Sequence, residues 1–313
     1  AMPNSYDRFL GMQGMHGHYA SSMAMHNADC IIALGARFND RVTGNRAKFA
    51  KGAKIVHIDI DGAELSKNIP VTGLRGDVKL TLDKLITLLD KKTNTEWQKK
   101  IGEFKTYEKE TLDNREGMTP RRAILELNKH LAPETAVATD VGQHQMWAAQ
   151  TLSFQKSRKF VSSGGLGTMG FGLPAAVGAT FGAPDRTVCL FLGDGGLQMT
   201  IQELGTIMEQ QCPVKMIMLN NNFLGNVRQW QYMFFDKRYS FTPMVNPDYE
   251  KIAQGYGIPS RTVVDRADLD DAIREMLDTD GPFILQCAVK EEDNVLPMTP
   301  PGGNVDEMLF EVE

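Results

Sequence analysis

The chain has 313 residues, which is long enough for two domains, and 42% of them are hydrophobic. Its net charge of −5 argues against nucleic acid or an anionic membrane as the main partner, and no apolar run approaches the roughly 18–20 residues that span a bilayer. The four cysteines, Cys30, Cys189, Cys212 and Cys287, lie far apart and mostly within apolar runs, which predicts reduced, buried thiols in a cytoplasmic protein (organellar in a eukaryote), with no disulfide framework or zinc site.

The N-terminal third alternates strand and helix signals. Strands are predicted at Cys30–Gly35, Lys54–Asp59 and Gly73–Val78, and a helix at Leu80–Leu89. This alternation predicts a parallel α/β domain, here incomplete, in which Gly35–Arg41, Asp59–Ile60 and Asp77–Val78 converge on one sheet edge. These patterns do not identify the ligand of this edge. No G-x-G-x-x-G motif follows a strand here, and the acids would equally cap strand ends.

A charged segment, Lys91–Glu116, follows. Its apolar side chains, Trp97, Ile101, Phe104 and Tyr107, recur at helical spacing. We predict a linker helix with a solvated charged face that joins two domains. The predicted boundaries are residues 1–92 for the first domain, 93–117 for the linker and 118–313 for the second domain.

The second domain opens with clear helix and strand signals. Thr119 is suited to cap a helix, and Pro120 to occupy its first position. A strand predicted at Ala136–Thr139 leads into a loop that carries Gln143 and His144. Side chains at such a loop-to-helix junction can reach a phosphate, although His144 would also serve as a simple helix cap.

A glycine-rich run at Gly164–Pro174 comes next. Glycines give either flexibility or close approach of the backbone to a ligand, and a position after a strand and before a helix favours close approach. Met169 within this run would by itself be interpreted as a core residue.

The central stretch predicts a strand, a helix and a strand at Val188–Leu192, Gln202–Gln210 and Val214–Leu219. A right-handed crossover of this kind brings both strand ends to one edge of the sheet. Asp194 follows the first strand between two glycines, and Asn221 follows the second strand 27 positions later (221 − 194).

These two strand ends carry the ligand types that Mg²⁺ prefers. Asp194 can supply a carboxylate oxygen, Asn221 an amide oxygen and Phe223 its backbone carbonyl. The neighbouring glycines and the start of the next helix suit a diphosphate. G-D-G alone is common in α/β turns, so the prediction of a metal and diphosphate site depends on the two strand ends together.

The rest of the domain supplies the remaining elements. Gln229–Phe235 is rich in aromatic residues, which belong to the core or line a ligand entrance. Helices predicted at Tyr249–Tyr256 and Asp268–Leu277 and a strand at Pro282–Val289 complete the sheet.

Two motifs and their surroundings resemble a known family. G-D-G at 193–195 followed by N-N at 220–221 resembles the thiamine-diphosphate-binding motif. The stretches G-G-L-G-T-M-G-F-G-L-P-A-A at 164–176 and N-N-F-L-G-N-V-R-Q-W at 221–230 resemble the catalytic large subunits of the acetohydroxyacid synthase (acetolactate synthase) family. The resemblance extends from about Met12 to Asn304, which is nearly the whole chain.

The resemblance implies a partial FAD-binding central domain followed by a thiamine-diphosphate-binding α/β domain. It implies a transferase that decarboxylates pyruvate and joins the two-carbon unit to a second pyruvate or to 2-oxobutyrate, in branched-chain amino acid biosynthesis. Thiamine diphosphate, Mg²⁺ and FAD are the implied cofactors. The implied partners are a second copy, in a homodimer or tetramer with active sites at the subunit interface, and a small regulatory subunit.

In that family the first residues of this sequence match the middle of the second of three domains. We therefore expect an N-terminally truncated fragment. The family's catalytic glutamate lies in the first domain, so we expect this chain alone to be inactive.

The resemblance also implies two sets of binding positions. Those for thiamine diphosphate and its metal ion are Gln143, His144, Gly167, Thr168, Met169, Asp194, Gly195, Gly196, Asn221, Asn222, Phe223, Leu224, Gly225 and Asn226. Those for FAD are Gln13, Gly14, Met15, His16, Gly35, Ala36, Arg37, Phe38, Asn39, Arg41, Asp59, Ile60, Asp77 and Val78.

Three catalytic roles are implied as well. Met169 would hold thiamine diphosphate in a folded V shape, with the Gly167 carbonyl receiving its amino group. Trp230 would shape the pocket for the second 2-oxoacid, and Arg41 would lie near the substrate entrance.

Three positions depart from the common family pattern. Asn39 replaces an acid, which we expect to be tolerated because an amide can still bond a ribityl hydroxyl. Gly196 replaces a serine, which removes one hydroxyl bond to the phosphate, and Pro301 replaces a serine in the C-terminal loop. Two alternatives stay open: another thiamine-diphosphate-dependent carboligase or 2-oxoacid decarboxylase, and a non-catalytic binding or scaffold module.

Overall fold

The computed structural model describes residues 2–112, 117–155 and 159–311. The chain forms two compact units, each made of two separate segments. The larger unit contains Ala1–Phe9 and Arg115–Val295, and the smaller unit contains Leu10–Asn114 and Leu296–Glu313. None of the helices in the described segments has both the length and the apolar character needed to cross a membrane.

The smaller unit is built around a three-stranded parallel sheet in the order β1-β2-β3. Its elements are α1 (Tyr19–Asn27), β1 (Cys30–Leu34), α2 (Asp40–Thr43), β2 (Lys54–Asp59), β3 (Thr72–Arg75), α3 (Val78–Ile86) and α4 (Thr95–Leu112). The three predicted strands are present, and the third ends before Asp77 because that residue caps α3. Leu34 pairs with Ile58 and Asp59 with Arg75, so the strand ends share one edge as predicted.

Cys30 corrects the expectation of four buried thiols. Cys189, Cys212 and Cys287 are buried, whereas Cys30 is exposed. Residues along β1 alternate between exposed and buried from Cys30 onward, and Cys30 lies on the outward face of the strand.

The larger unit contains a six-stranded parallel sheet in the order β5-β4-β6-β7-β9-β8. Its elements are α5 (Pro120–Asn128), β4 (Ala136–Thr139), α6 (Gln143–Thr151), β5 (Phe160–Ser162), α7 (Gly172–Gly182), β6 (Val188–Gly193), α8 (Asp194–Met199), α9 (Glu203–Gln210), β7 (Val214–Asn220), α10 (Gly225–Phe234), α11 (Tyr249–Gly255), β8 (Ser260–Val263), α12 (Leu269–Asp278) and β9 (Phe283–Ala288). A short 3₁₀ turn, Arg266–Asp268, precedes α12.

Two hydrophobic clusters lie on opposite faces of this sheet. One packs α5, α6 and α12 against the strands, and the other packs α7, α9 and α11. Because helices cover both faces, β6 and β7 are buried along their whole length, which explains their continuous apolar sequences. The predicted helix start is also confirmed, since Thr119 accepts from the N–H of Arg122 and Pro120 is the first residue of α5.

The segment predicted as a linker helix is part of the smaller unit. Its helical portion is α4, and residues 113–116 of the prediction lie outside the described residues. Tyr19 of α1 packs against Phe104 and Tyr107 of α4, with ring centroids 6.0 and 5.0 Å apart. The aromatic residues that suggested a helix therefore pack it against α1.

Each end of the chain belongs to a different unit from the one that the predicted domain boundaries imply. Asn4 donates its N–H to the carbonyl of Phe154 at 3.0 Å, which places the N-terminal segment in the larger unit. Thr299 donates its N–H to the carbonyl of Met15 at 2.8 Å, which places the C-terminal segment in the smaller unit. The N-terminal segment thus belongs to the unit formed mainly by the C-terminal part of the chain, and the C-terminal segment to the unit formed mainly by the N-terminal part.

Candidate functional site

A cavity in the larger unit lies at the carboxyl ends of β4, β6 and β7. Three helices begin at this cavity: α6, whose first residues are Gln143 and His144, the short α8, which begins at Asp194, and α10, which begins at Gly225. The lining residues are Pro120, Val141, Gly142, Gln143, His144, Trp147, Met169, Gly193, Asp194, Gly195, Gly196, Leu219, Asn221, Phe223, Leu224, Gly225, Asn226, Val227 and Val289. This is the edge of a parallel sheet at which ligands commonly bind.

Asp194 is the acid of this cavity. It is only 1% exposed, and its Oδ2 accepts from Nδ2 of Asn246 at 2.7 Å. Burial raises the pKa of the carboxyl, and hydrogen bonds from Asn246 and from nearby backbone oppose part of that rise. The charged form therefore costs free energy in the folded protein, and a bound cation would offset that cost.

His144 is buried at the start of α6. Burial lowers its pKa to about 4, while the nearby Asp140 carboxylate opposes the shift, so the ring is neutral at pH 7. Its Nε2 atom is buried and, among the described residues, has no hydrogen-bond partner. Such an atom costs about 1–3 kcal/mol, so a ligand that bonds to it would recover stability.

Gln143 and Asn221 are held by a compact network. Asn221 donates from Nδ2 to Oε1 of Gln143 at 3.4 Å and accepts at Oδ1 from the N–H of Phe223 at 3.3 Å. Gln143 donates from Nε2 to Oε1 of Gln229 at 2.8 Å. A Cβ on Gly225 would lie 2.1 Å from Oε1 of Gln143, so a larger residue where α10 begins would displace the Gln143 side chain from this network.

Asp140 organises the glycine-rich run and is a site residue that sequence reasoning missed. It is buried at the end of β4, where its carboxylate accepts from the N–H of Gly170 at 3.1 Å and of Gly172 at 2.8 Å. Met169, next to Gly170, is thereby placed at the cavity. An acid directly after a strand was the available signal.

Asp140 also explains the glycine at position 196. A Cβ on Gly196 would lie 2.7 Å from Oδ1 of Asp140. A larger residue there would require a shift of the Asp140 carboxylate, which holds the glycine-rich run.

Asn246 was missed as well, and no sequence signal could have identified it. Its Nδ2 lies 2.7 Å from Asp194 Oδ2, 3.2 Å from Asn220 Oδ1 and 3.1 Å from Asn222 Oδ1. Its Oδ1 accepts from the hydroxyl of Tyr249 at 3.0 Å. Asn246 thus fixes the orientation of the carboxylate that is the predicted metal ligand.

The cavity brings together most positions predicted for thiamine diphosphate, including the predicted metal ligands Asp194, Asn221 and Phe223. Among the described residues, its lining does not include Gly167, Thr168, Asn222 or Trp230. Gly167 and Thr168 lie in the exposed part of the glycine-rich run. Trp230 is half-buried on α10, where its ring packs against Phe234 at 5.2 Å.

The positions predicted for FAD lie in the smaller unit and fall into two groups. Gly14, Met15 and Arg41 line a second cavity with the C-terminal segment 299–302. Gln13 lies beside them and donates from Nε2 to the carbonyl of Val42 at 3.3 Å, and His16 is half-buried.

The residues of the second group lie at or just after the carboxyl ends of the three strands. Asp77 and Asn39 cap helices by accepting from the N–H of Leu80 and of Val42. The other members are Gly35, Ala36, Arg37, Phe38, Asp59, Ile60 and Val78, of which Phe38 is buried in the core and Ile60 is 70% exposed.

Two family comparisons match separate parts of the chain. Residues 140–287 match the C-terminal TPP-binding domain of thiamine pyrophosphate enzymes, and residues 1–85 match the central domain of the same enzymes. The first match contains the cavity-forming strands β6 and β7 and most of the lining residues.

Curated relatives are similar over almost the whole chain. The acetolactate synthase isozyme 2 large subunit of Escherichia coli is 41% identical over 313 residues, which cover 99% of this chain and 56% of the relative. The acetolactate synthase large subunit of Lactococcus lactis is 40% identical, with 98% and 54% covered, and chloroplastic acetolactate synthase 1 of Nicotiana tabacum is 41% identical, with 99% and 49% covered. The chain spans about half the length of these relatives.

Proposed function

Because the chain belongs to the thiamine pyrophosphate enzymes, we propose that it is the cofactor-binding part of an acetolactate synthase large subunit. Its substrates would be two 2-oxoacids: pyruvate as donor, and pyruvate or 2-oxobutyrate as acceptor. The observation that carries the proposal is one cavity that holds a buried carboxylate, two helix N-termini and an imidazole nitrogen with no hydrogen-bond partner among the described residues.

The residues of the cavity fit thiamine diphosphate. The helix N-termini at Gln143 and Gly225 present backbone N–H groups to an anion. A ligand could also supply the hydrogen-bond partner that His144 Nε2 lacks within the described part of the chain. Mg²⁺ would be held by Asp194, Asn221 and the carbonyl of Phe223. When bound, thiamine diphosphate supplies the chemistry that breaks and forms carbon–carbon bonds next to a carbonyl group.

The protein residues would bind and orient the cofactor. Asp194 would compensate the positive charge of the metal ion, and Asn246 would keep the carboxylate in the orientation needed to bind it. The half-buried Met169 would lie beside the bound cofactor, while Asp140 fixes the backbone on its C-terminal side. The apolar side chains of Trp147 and Leu219 would limit the access of water.

We also propose that the smaller unit binds FAD. The cavity lined by Gly14, Met15 and Arg41 includes a residue with a guanidinium group. The caps at Asp77 and Asn39 are explained by local structure alone, so they add no support for a flavin. A second copy of the chain and a regulatory subunit are proposed only from the names of the relatives.

The central test is Asp194→Asn. We expect the Mg²⁺-dependent affinity for thiamine diphosphate, measured by calorimetry, to fall by at least about 100-fold, since a metal ligand is lost. The same substitution should raise the thermal midpoint of the ligand-free protein at pH 7, because it removes a carboxylate whose pKa is raised by burial. That gain should shrink as the pH falls toward the raised pKa.

The matched control is Asp185→Asn, at an exposed turn, which should change neither quantity. Unchanged Mg²⁺-dependent binding in Asp194→Asn would overturn the metal assignment.

The reaction is tested with the longest gene product that contains this chain. Pyruvate, thiamine diphosphate, Mg²⁺ and FAD are supplied, and acetolactate is quantified with and without 2-oxobutyrate. Acetolactate that gives way to acetohydroxybutyrate supports the proposal. Acetaldehyde would indicate a 2-oxoacid decarboxylase, and no product together with no Mg²⁺-dependent binding would indicate a scaffold module.

A further inference from the structure

Three metal-ligating side chains meet where α5 packs against α12. Glu126 lies on the last turn of α5, His130 directly after its end, and Asp270 in the first turn of α12. Each offers one ligand atom, and these atoms all lie within 4.8 Å of one another. We call these three residues the α5–α12 cluster. None of them lines the cavity that contains Asp194.

The backbone that carries the α5–α12 cluster is fixed by packing. Leu127 of α5 and Leu269 and Ile273 of α12 are buried in the same hydrophobic cluster. The N–H of His130 donates to the carbonyl of Leu127 at 2.9 Å, which continues the helical turn. Glu126 and His130 are four positions apart, so they project from one face toward Asp270.

The present partners of these side chains are easily displaced. His130 Nε2 lies 2.7 Å from Asp270 Oδ1, inside the α5–α12 cluster. Among the described residues, partners outside the cluster include Lys129, 2.6 Å from Glu126 Oε1, and Arg274, 2.9 Å from Asp270 Oδ2. The side chains of Lys129 and Arg274 are 64% and 62% exposed, so these ion pairs are weak and both cations can move into solvent.

We propose that the α5–α12 cluster binds a divalent transition metal ion of the zinc type and so links α5 to α12. One imidazole nitrogen and two carboxylate oxygens are ligands that Zn²⁺ takes at about 2.0–2.2 Å. With metal–ligand distances of about 2.0–2.1 Å, the ligand atoms of a tetrahedral site lie about 3.3 Å apart. The ion would therefore replace the hydrogen bond between His130 Nε2 and Asp270 Oδ1, now 2.7 Å apart, and water would complete a four-coordinate site. Glu126 and Asp270 together neutralise the charge of the ion.

The ligand chemistry separates this site from the proposed magnesium site. Mg²⁺ prefers oxygen ligands only, whereas His130 supplies nitrogen, so Zn²⁺ or Co²⁺ should bind here in the presence of excess Mg²⁺. The metal would join residues 126 and 270, which are far apart in the sequence, and would stabilise the larger unit without taking part in the proposed reaction.

The test uses the metal alone and the whole chain. Zn²⁺ titrated calorimetrically in Mg²⁺-containing buffer should bind one ion per chain at this site, and Co²⁺ should give the visible absorption of a four-coordinate complex. His130→Gln should weaken Zn²⁺ binding by more than about 100-fold, since even outer-shell partners of metal ligands are worth 10–100-fold. The matched control is His26→Gln, because His26 pairs with Asp306, at 3.5 Å, and is not part of the α5–α12 cluster, so binding should be unchanged.

A second variant tests the site while leaving all three metal-ligating side chains in place. Lys129→Met removes the cation that competes for Glu126, so Zn²⁺ affinity should rise severalfold, an effect that a simple ion-pair network would not produce. No Zn²⁺ binding by the wild-type chain would overturn the proposal. Binding that survives His130→Gln, or that is lost in Asp194→Asn, would assign the ion elsewhere and also overturn it.

Discussion

The two parallel sheets of this chain differ in how their carboxyl edges use polar residues. At the larger sheet, Asp194 and His144 are buried in a cavity, and His144 Nε2 has no partner among the described residues. At the smaller sheet, Asp77 and Asn39 are exposed and already bonded to the helices that they cap. Buried polar atoms without full partners lower stability, so they indicate a ligand, whereas satisfied caps are explained by the backbone alone.

Of the substitutions that test this comparison, Asp140→Ala should lower the free energy of unfolding most. The buried N–H groups of Gly170 and Gly172 would lose their acceptor, which should lower the free energy of unfolding by about 3–5 kcal/mol. Urea denaturation measures this loss, and calorimetry should show weaker binding of thiamine diphosphate, because Met169 is no longer held in place.

Asp185→Ala is the matched control for this loss, since Asp185 lies in an exposed turn and its removal should cost less than about 0.5 kcal/mol. Equal effects of the two substitutions would contradict the role assigned to Asp140.

The next effect concerns the pH dependence caused by His144. Its folded-state pKa is about 4, against 6.5 in the unfolded chain. As the pH falls from 6.5 to 4, the unfolded chain binds a proton that the folded chain does not, so stability should fall by roughly 3 kcal/mol in this window. His144→Gln should remove that part of the pH dependence, measured as the free energy of unfolding at pH 7 and at pH 4.

The wild-type chain, measured at the same two pH values, is the reference. A slope that persists in His144→Gln would mean that another group carries it.

The smallest expected effect is at the smaller sheet. Asp77→Ala should cost about 1 kcal/mol, because it removes the cap of α3 and nothing more. Asp83→Ala, which breaks the exposed pair with Lys79 at 2.6 Å, should cost less. If Asp77→Ala also weakened FAD binding by more than about tenfold, or 1.4 kcal/mol, the two edges would be alike and the comparison would fail.

Local sequence patterns predicted much of the larger unit. The apolar runs of β6 and β7 and the Thr119-Pro120 start of α5 depend on neighbouring residues, and all three are present in the structure. The strand-end position of Asp194 followed from the same reasoning. These features are predictable because burial and capping act over a few residues.

Contacts between distant segments could not be predicted in this way. Asn246 reaches Asp194 across 52 positions, and Asp140 reaches Gly172 across 32. Nothing near Asn246 marks it, since its role depends on where the loop before α11 is placed by folding. Cys30 shows the same limit, because an apolar run does not reveal which face of a strand is covered.

The exchange of the two chain ends has a consequence for cleavage of the protein. The polypeptide crosses between the units after Phe9, near Asn114 and after Val295, so each unit contains a segment from the far end of the chain. A single proteolytic cut near the middle crossing would give two pieces, and each piece would still contribute to both folded units. The nicked protein should therefore elute as one species under native conditions and separate only on denaturation, a behaviour more typical of intertwined subunits than of domains joined in series.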